Sequence, residues 1–115
     1  MIEVKKEVIS KEAVDAWITV WEELRENIHA AHEARDGSAK PLMEKGIEQF
    51  VTFLLQASHT DIALQEHAIY ELLPINGMER LSFIKMKPGQ YACYRQLDEL
   101  YKETKKRCAR LRLKA

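Results

Sequence analysis

Glu26, His29 and His32 are the side chains of this 115-residue chain best spaced for metal chemistry. Glu26 and His29 form a Glu-x-x-His, and His32 follows one turn later. A di-metal carboxylate bundle needs two such motifs and two further inward-facing carboxylates. A second motif is missing, because neither His59 nor His67 has a glutamate three positions before it. His29 and His32 with Glu26, or with His59 from the next helix, would suit a single divalent ion. A polar helix end carrying two surface histidines is the plainer reading. No cofactor is expected, and a metal-dependent enzyme using Glu26, His29 and His32 stays an alternative.

Nucleophilic chemistry has weaker support. Cys93 falls on an apolar helix flank, where a thiol acts as a small hydrophobe. Cys108 has Lys105, Arg107 and Arg110 nearby, which could lower its pKa, yet it falls on the apolar face too. The two thiols are fifteen positions apart, about 22 Å along a continuous helix. That exceeds disulfide reach, so free cysteines and a cytoplasmic location are expected. Adjacent acids such as Glu22-Glu23 and Asp98-Glu99 read as solvated faces. The chain has neither a glycine-rich phosphate loop nor a Cys-x-x-Cys. The reading leans away from an enzyme, with no catalytic residue assigned.

Binding chemistry is better represented. From Lys102 to Lys114 there are seven Lys or Arg against Glu103 alone, within a chain of formal net charge zero. Lys102, Lys105, Lys106, Arg107, Arg110 and Arg112 are candidate phosphate contacts, and binding through them would be strongly salt-dependent. No helix-turn-helix, finger or aromatic RNA-binding signature accompanies them. A solubilising helix end that satisfies its own dipole, or a dock for an acidic protein, is preferred. Arg80 could clamp a carboxylate or phosphate through its planar fork, or pair internally with Glu79, Asp98 or Glu99. Tyr91, Tyr94 and Gln96 are candidates to line the same corner.

Helices must position these groups. Ser10 is a suitable N-cap, with Glu12 and Asp15 in the first turns. Val14, Trp17, Ile18, Trp21, Leu24, Ile28 and Ala31 follow helical spacing up to Asp36-Gly37-Ser38. The tryptophans belong in the core, with a homodimer seam as the alternative. Pro41 at a first helical position starts a second helix, striped by Met43, Ile47, Phe50, Val51, Leu54 and Leu55 and ending near Ser58-His59-Thr60. Gly46 sits on that stripe, where another backbone could approach. Residues 60–73 are read as a loop followed by a short helix that stops before Pro74. Asn76 and Glu79 fit a capping box for another short helix, ended by Lys87-Pro88-Gly89. The last helix starts near Gln90 and presents Tyr94, Leu97, Tyr101, Thr104, Cys108 and Leu111, widened by Cys93 and Leu100.

The expected fold is all-α: a compact bundle of three long helices and two short ones. Residues 10–115 form one domain, after a lead-in at 1–9 that is extended or disordered. With 46% hydrophobic and 31% charged residues the composition is globular. No apolar run approaches the length of a membrane span. The N-terminal decapeptide lacks a signal-peptide layout.

Two blocks resemble the YpoC-like domain family of Gram-positive bacteria. One is Met43-Glu-Lys-Gly46-Ile47-Glu-Gln-Phe50 with Leu54. The other is Leu73-Pro74-Ile-Asn76-Gly-Met-Glu79-Arg80-Leu81-Ser-Phe83-Ile84, continuing through Lys87-Pro88, Tyr91, Tyr94 and Gln96-Leu97-Asp-Glu-Leu100. With the helix around Trp17 and Trp21, the resemblance spans most of 17–107 and leaves out the lead-in and the basic end after Lys105. It implies a compact helical fold and brings no catalytic set. The sequence therefore points to a non-enzymatic protein-interaction or regulatory module whose protein partner is unspecified. Nucleic-acid binding through the last helix is the alternative, and no membrane association is expected.

Overall fold

Ser10 opens the first helix by accepting a hydrogen bond from the Ala13 N–H at 3.2 Å. The computed structural model describes residues 1–114. Ala115, the last position of the expected domain, lies outside the described residues. Helix α1 spans Lys11–Ala34 and buries Val14, Trp17, Ile18, Trp21, Ile28 and Ala31, the expected stripe except for Leu24, which is half-buried against it. It closes on Arg35 in the left-handed region, φ 53°, with Gly37 at φ 80° completing the turn. The Asp36 carboxylate accepts from the Ser38 N–H and hydroxyl at 3.0 and 2.6 Å, fixing the entry to the next helix.

Helix α2, Ala39–Gln56, starts two residues before Pro41 and ends just ahead of the expected Ser58-His59-Thr60 stop. Pro41 lies in its first turn, where the missing N–H has no intrahelical acceptor to lose. The close approach at Gly46 comes from side chains rather than a backbone. A Cβ there would lie 2.8 Å from the Trp21 ring and 3.3 Å from Leu97.

The short helix expected within 60–73 does not form, so among the described residues the bundle has three long helices and one short one. Among the described residues, only a single 3-10 turn, Lys6–Val8, adds to them. The N-terminal residues impose a different geometry on this connector. Residues 2–5 run extended between its two ends, and the Ile2 N–H donates to the Ile69 carbonyl at 2.7 Å. The Glu71 N–H donates to Ile2, His59 to Glu3 and Lys5 to Ala57. Isolated bridges Ile2–Tyr70 and Val4–Ser58 record these pairings. Tyr70, Leu72 and Leu73 are buried while Ile62 and Ile69 are exposed, which is not the face of one helix. Backbone bonds to a distant segment here outweigh weak local amphipathicity.

Helix α3 is Gly77–Met86 and lacks the expected capping box. Asn76 adopts φ 57°, and its side chain makes no cap bond. The turn closes through the backbone instead, with Gly77 N–H to Pro74 and Arg80 N–H to Asn76. Gly77 is required because a Cβ would meet that of Leu73 at 2.8 Å. Lys87-Pro88-Gly89 reverses the chain into α4, Tyr91–Leu113, whose expected face is buried in full.

Contacts between numbered pairs give the helix directions. Trp17 meets Phe53 while Trp21 meets Gly46, so α1 and α2 are antiparallel. Trp21 bonds Asp98 while Asp15 lies near Arg112, so α1 and α4 are antiparallel as well. Trp21 and Tyr101 stack with centroids 4.4 Å apart and planes 3° from parallel. Phe50 meets Tyr101 edge-on at 5.0 Å, and Trp17 lies on Phe53 at 4.4 Å. These aromatic rings form the centre of the molecule, where such pairs add roughly 0.5–1.5 kcal/mol each beyond area burial. No described helix is long and apolar enough to cross a membrane.

Candidate functional site

Asp98 anchors the most charged part of the interior, although its sequence neighbour Glu99 is solvated. It is 7% exposed. Its Oδ1 accepts from Trp21 Nε1 at 3.0 Å and Arg25 Nη1 at 3.2 Å, and its Oδ2 pairs with Lys102 Nζ at 3.0 Å. Burial pushes the carboxyl pKa up, but the Trp21, Lys102 and Arg25 bonds outweigh it, leaving a net downward shift. Position 98 is four residues after Tyr94 and three before Tyr101. An acid on the buried stripe was the sequence signal for this role.

Arg80 pairs with none of the expected acids. It forms a two-pronged bridge to Glu103 at 3.1 and 2.6 Å, joining α3 to α4. The bridge raises the Arg80 pKa and lowers that of Glu103. With its fork filled, Arg80 holds a helix pair together.

The other members of the expected corner lie elsewhere. Tyr91 is twelve residues from Glu103, about 18 Å along α4. Tyr91 and Tyr94 meet each other at 5.6 Å and gather around His32 of α1, at 5.3 and 5.9 Å. Tyr94 is buried, and desolvation raises its hydroxyl pKa. Gln96 is exposed; at 100° per residue it falls on roughly the opposite side of α4 from Tyr94. Arg80, Tyr91, Tyr94 and Gln96 therefore do not share one cleft.

His29 and His32 diverge although they are one turn apart. His29 Nε2 lies 3.1 Å from the Glu33 carboxylate at the surface. The His32 ring turns to the tyrosines, and its Nε2 is buried without a partner. Among the described residues, no three His, Cys, Asp or Glu are grouped as metal ligands. Both cysteines are free and buried. Desolvation raises Cys93 and pushes Cys108 up to about 11, so burial defeats the nearby cations that could have activated it.

The basic end divides into two sets. Lys102 neutralises Asp98, Arg107 Nε donates to the Glu71 carbonyl, and Arg112 Nη1 donates to the Ile9 carbonyl at 3.0 Å. Arg107 fastens the connector and Arg112 the lead-in to α4, whereas the Lys102 pair stays within the helix. Lys105, Lys106 and Arg110 are exposed on the same helix.

Two grooves accompany these groups. One, about 770 Å³, lies between α1 and α4, with Val14, Ile18 and Ala109 along it and Lys105 and Lys106 beside them. The other, about 600 Å³, lies at the connector and is bordered by Met1, Ile69, Pro74 and Ile75. Ile69 is 70% exposed and Ile75 81%.

The YpoC-like protein family model matches residues 11–115. The match includes the basic end, which the sequence resemblance had left outside. A 37-residue stretch is 57% identical to the uncharacterized protein YpoC of Bacillus subtilis (strain 168), covering 32% of this chain and 23% of that protein. The aligned part is thus about a quarter of the length of the relative. No solved structure matches. A family match over nearly the whole chain, on a helical bundle that retains both blocks of the resemblance, places this chain in the YpoC-like family.

Proposed function

We propose that the chain is a non-enzymatic helical module that works by binding another protein. The observation supporting this most directly is the connector groove, where Ile69 and Ile75 stand mostly in solvent at the border of one concavity. Exposed apolar side chains grouped within a polar surround mark a surface for protein contact. Its walls are held by the lead-in's backbone bonds and by Arg107, so the surface is preformed and little ordering cost attends binding.

Affinity capture from a Bacillus subtilis lysate tests the reading, using folded protein beside Ile69→Asp and Ile75→Asp variants. Both positions are exposed, so circular dichroism should show the variants folded. The expected result is a discrete, stoichiometric protein captured by the original chain and lost in both variants. Capture of nothing, or equal capture by all three, would overturn the proposal.

A further inference from the structure

The geometry points to a second contact surface: the α1/α4 groove docks an acidic, amphipathic helical segment of a protein. Its cations follow one another at helical spacing. Lys102, Lys105, Lys106 and Arg112 line one wall, with Ala109 in the remaining place on that face. Lys11 stands on the opposite wall beside Asp15 and Glu22, leaving five cations to two carboxylates along the groove.

Two of the five, Lys105 and Lys106, form no salt bridge among the described residues. Lys102 is occupied by Asp98, Lys11 by Asp15 at 2.8 Å, and part of the Arg112 guanidinium by the Ile9 carbonyl. Lys105 and Lys106 are exposed and have no carboxylate within salt-bridge distance among the described residues. Between the helices Val14 and Ile18 close the floor as buried core residues, and Ala109 is the exposed apolar side chain beside the two lysines, with Thr19 on the α1 side. From Lys102 to Arg112 the wall is about 15 Å long, matching about ten residues of a ligand helix. Carboxylates spaced i, i+3 and i+7 on such a helix would meet the cations while small apolar side chains face Ala109.

The same features disfavour a nucleic acid as the occupant. Asp15 and Glu22 on the facing wall would repel a phosphate chain, and no aromatic ring lines the groove for a base to stack on. An acidic helix avoids both problems by turning its charged edge to α4 alone. This surface is separate from the connector groove, so either can fail without the other.

Fluorescence anisotropy on the full chain tests the inference with three labelled probes. They are a helical peptide of about twelve residues carrying Glu at i, i+3 and i+7 with Leu and Ala on the adjoining face, its Gln counterpart, and a single-stranded oligothymidylate. The Glu peptide should bind about tenfold more tightly than the Gln peptide, and the Lys105→Glu/Lys106→Glu double variant should lose about tenfold affinity for it. Arg110→Glu, on α4 outside the groove, and Ile75→Asp should each change binding by less than roughly twofold. Ala109→Glu should abolish binding with the helical signal unchanged. Equal binding of the two peptides, or undiminished affinity in the double variant, would overturn the inference. So would tighter binding of the oligonucleotide than of the Glu peptide. If the lysate partner is lost in Ile75→Asp while the Glu peptide still binds, the two surfaces are distinct.

Discussion

At the scale of single residues, Asp98 and Gly46 show how the core is specified. Asp98 is nearly buried and supports the Trp21 indole, the Arg25 guanidinium and the Lys102 ammonium. Asp98→Ala should cost about 1–3 kcal/mol, because it leaves the buried Trp21 indole N–H without its acceptor while Arg25 and Lys102 turn to solvent. Asp98→Asn retains an acceptor for Trp21 and should recover part of that loss, which urea unfolding of the three proteins would measure. An equal loss in the two variants would mean that charge alone matters at this position. Gly46→Ala sets two effects against each other. Alanine improves helix propensity by about 1 kcal/mol, whereas its Cβ would be 2.8 Å from a Trp21 ring clamped against Tyr101. Overpacking of a ring that cannot retreat costs typically 1–3 kcal/mol, so a lowered urea midpoint is expected. Unchanged stability would show that the ring can slide. The sequence marked Gly46 as a place of close approach but could not say what approached. It placed Asp98 among solvated acids, because adjacent carboxylates look alike until the helix phase assigns one of them to the buried face.

At the scale of elements, the long helices were legible and the connector was not. The stripes of α1, α2 and α4 repeat over enough turns for one face to be unmistakable, and Ser10 marked a start that its cap bond bears out. Residues 57–76 take their shape from the chain's other end, through hydrogen bonds that no local pattern encodes. The same gap explains the site. Arg80 was recognisable as a potential clamp, but its partner Glu103 lies 23 residues away and depends on how α3 folds back along α4. The separation of Tyr91 and Tyr94 from Arg80 follows from the same packing. A specific consequence concerns residues 1–5. Val4 is buried, its N–H donates to the Glu71 carboxylate at 3.0 Å, and the flanking bonds order both connector ends. Val4→Asp should place an unpaired charge in the core and cost about 3 kcal/mol or more. Amide hydrogen exchange at His59 and Glu71 should accelerate well beyond exchange at the centre of α2. Unchanged protection at those two amides would show that the connector holds its shape without the lead-in.

At the scale of the whole molecule, three carboxylates link segments distant in the chain, and this governs the response to acid. Asp98 ties α1 to α4, Glu103 ties α4 to α3, and Glu71 ties the connector to the lead-in and to Lys114. All three have pKa values lowered by folding. Hydrogen bonds from Trp21, Lys102 and Arg25 outweigh desolvation at Asp98, while the Arg80 bond acts at Glu103 and the Val4 N–H at Glu71. A carboxyl shifted downward binds fewer protons in the folded chain than in the unfolded one. Its contribution is therefore complete above the unfolded value, 3.8 for Asp and 4.5 for Glu, and disappears as pH falls through the folded value. The chain should lose stability progressively below about pH 5. Asp98→Asn and Glu71→Gln should flatten that acid limb most, because their side chains are only 10% and 12% exposed. Glu103→Gln should flatten it less, since a side chain 39% exposed is partly screened by solvent. Urea midpoints between pH 6 and about pH 2.5 for the four proteins would test this order, over the range where paired carboxylates titrate. A slope in Asp98→Asn as steep as in the original chain would show that the acid response resides outside the buried hub.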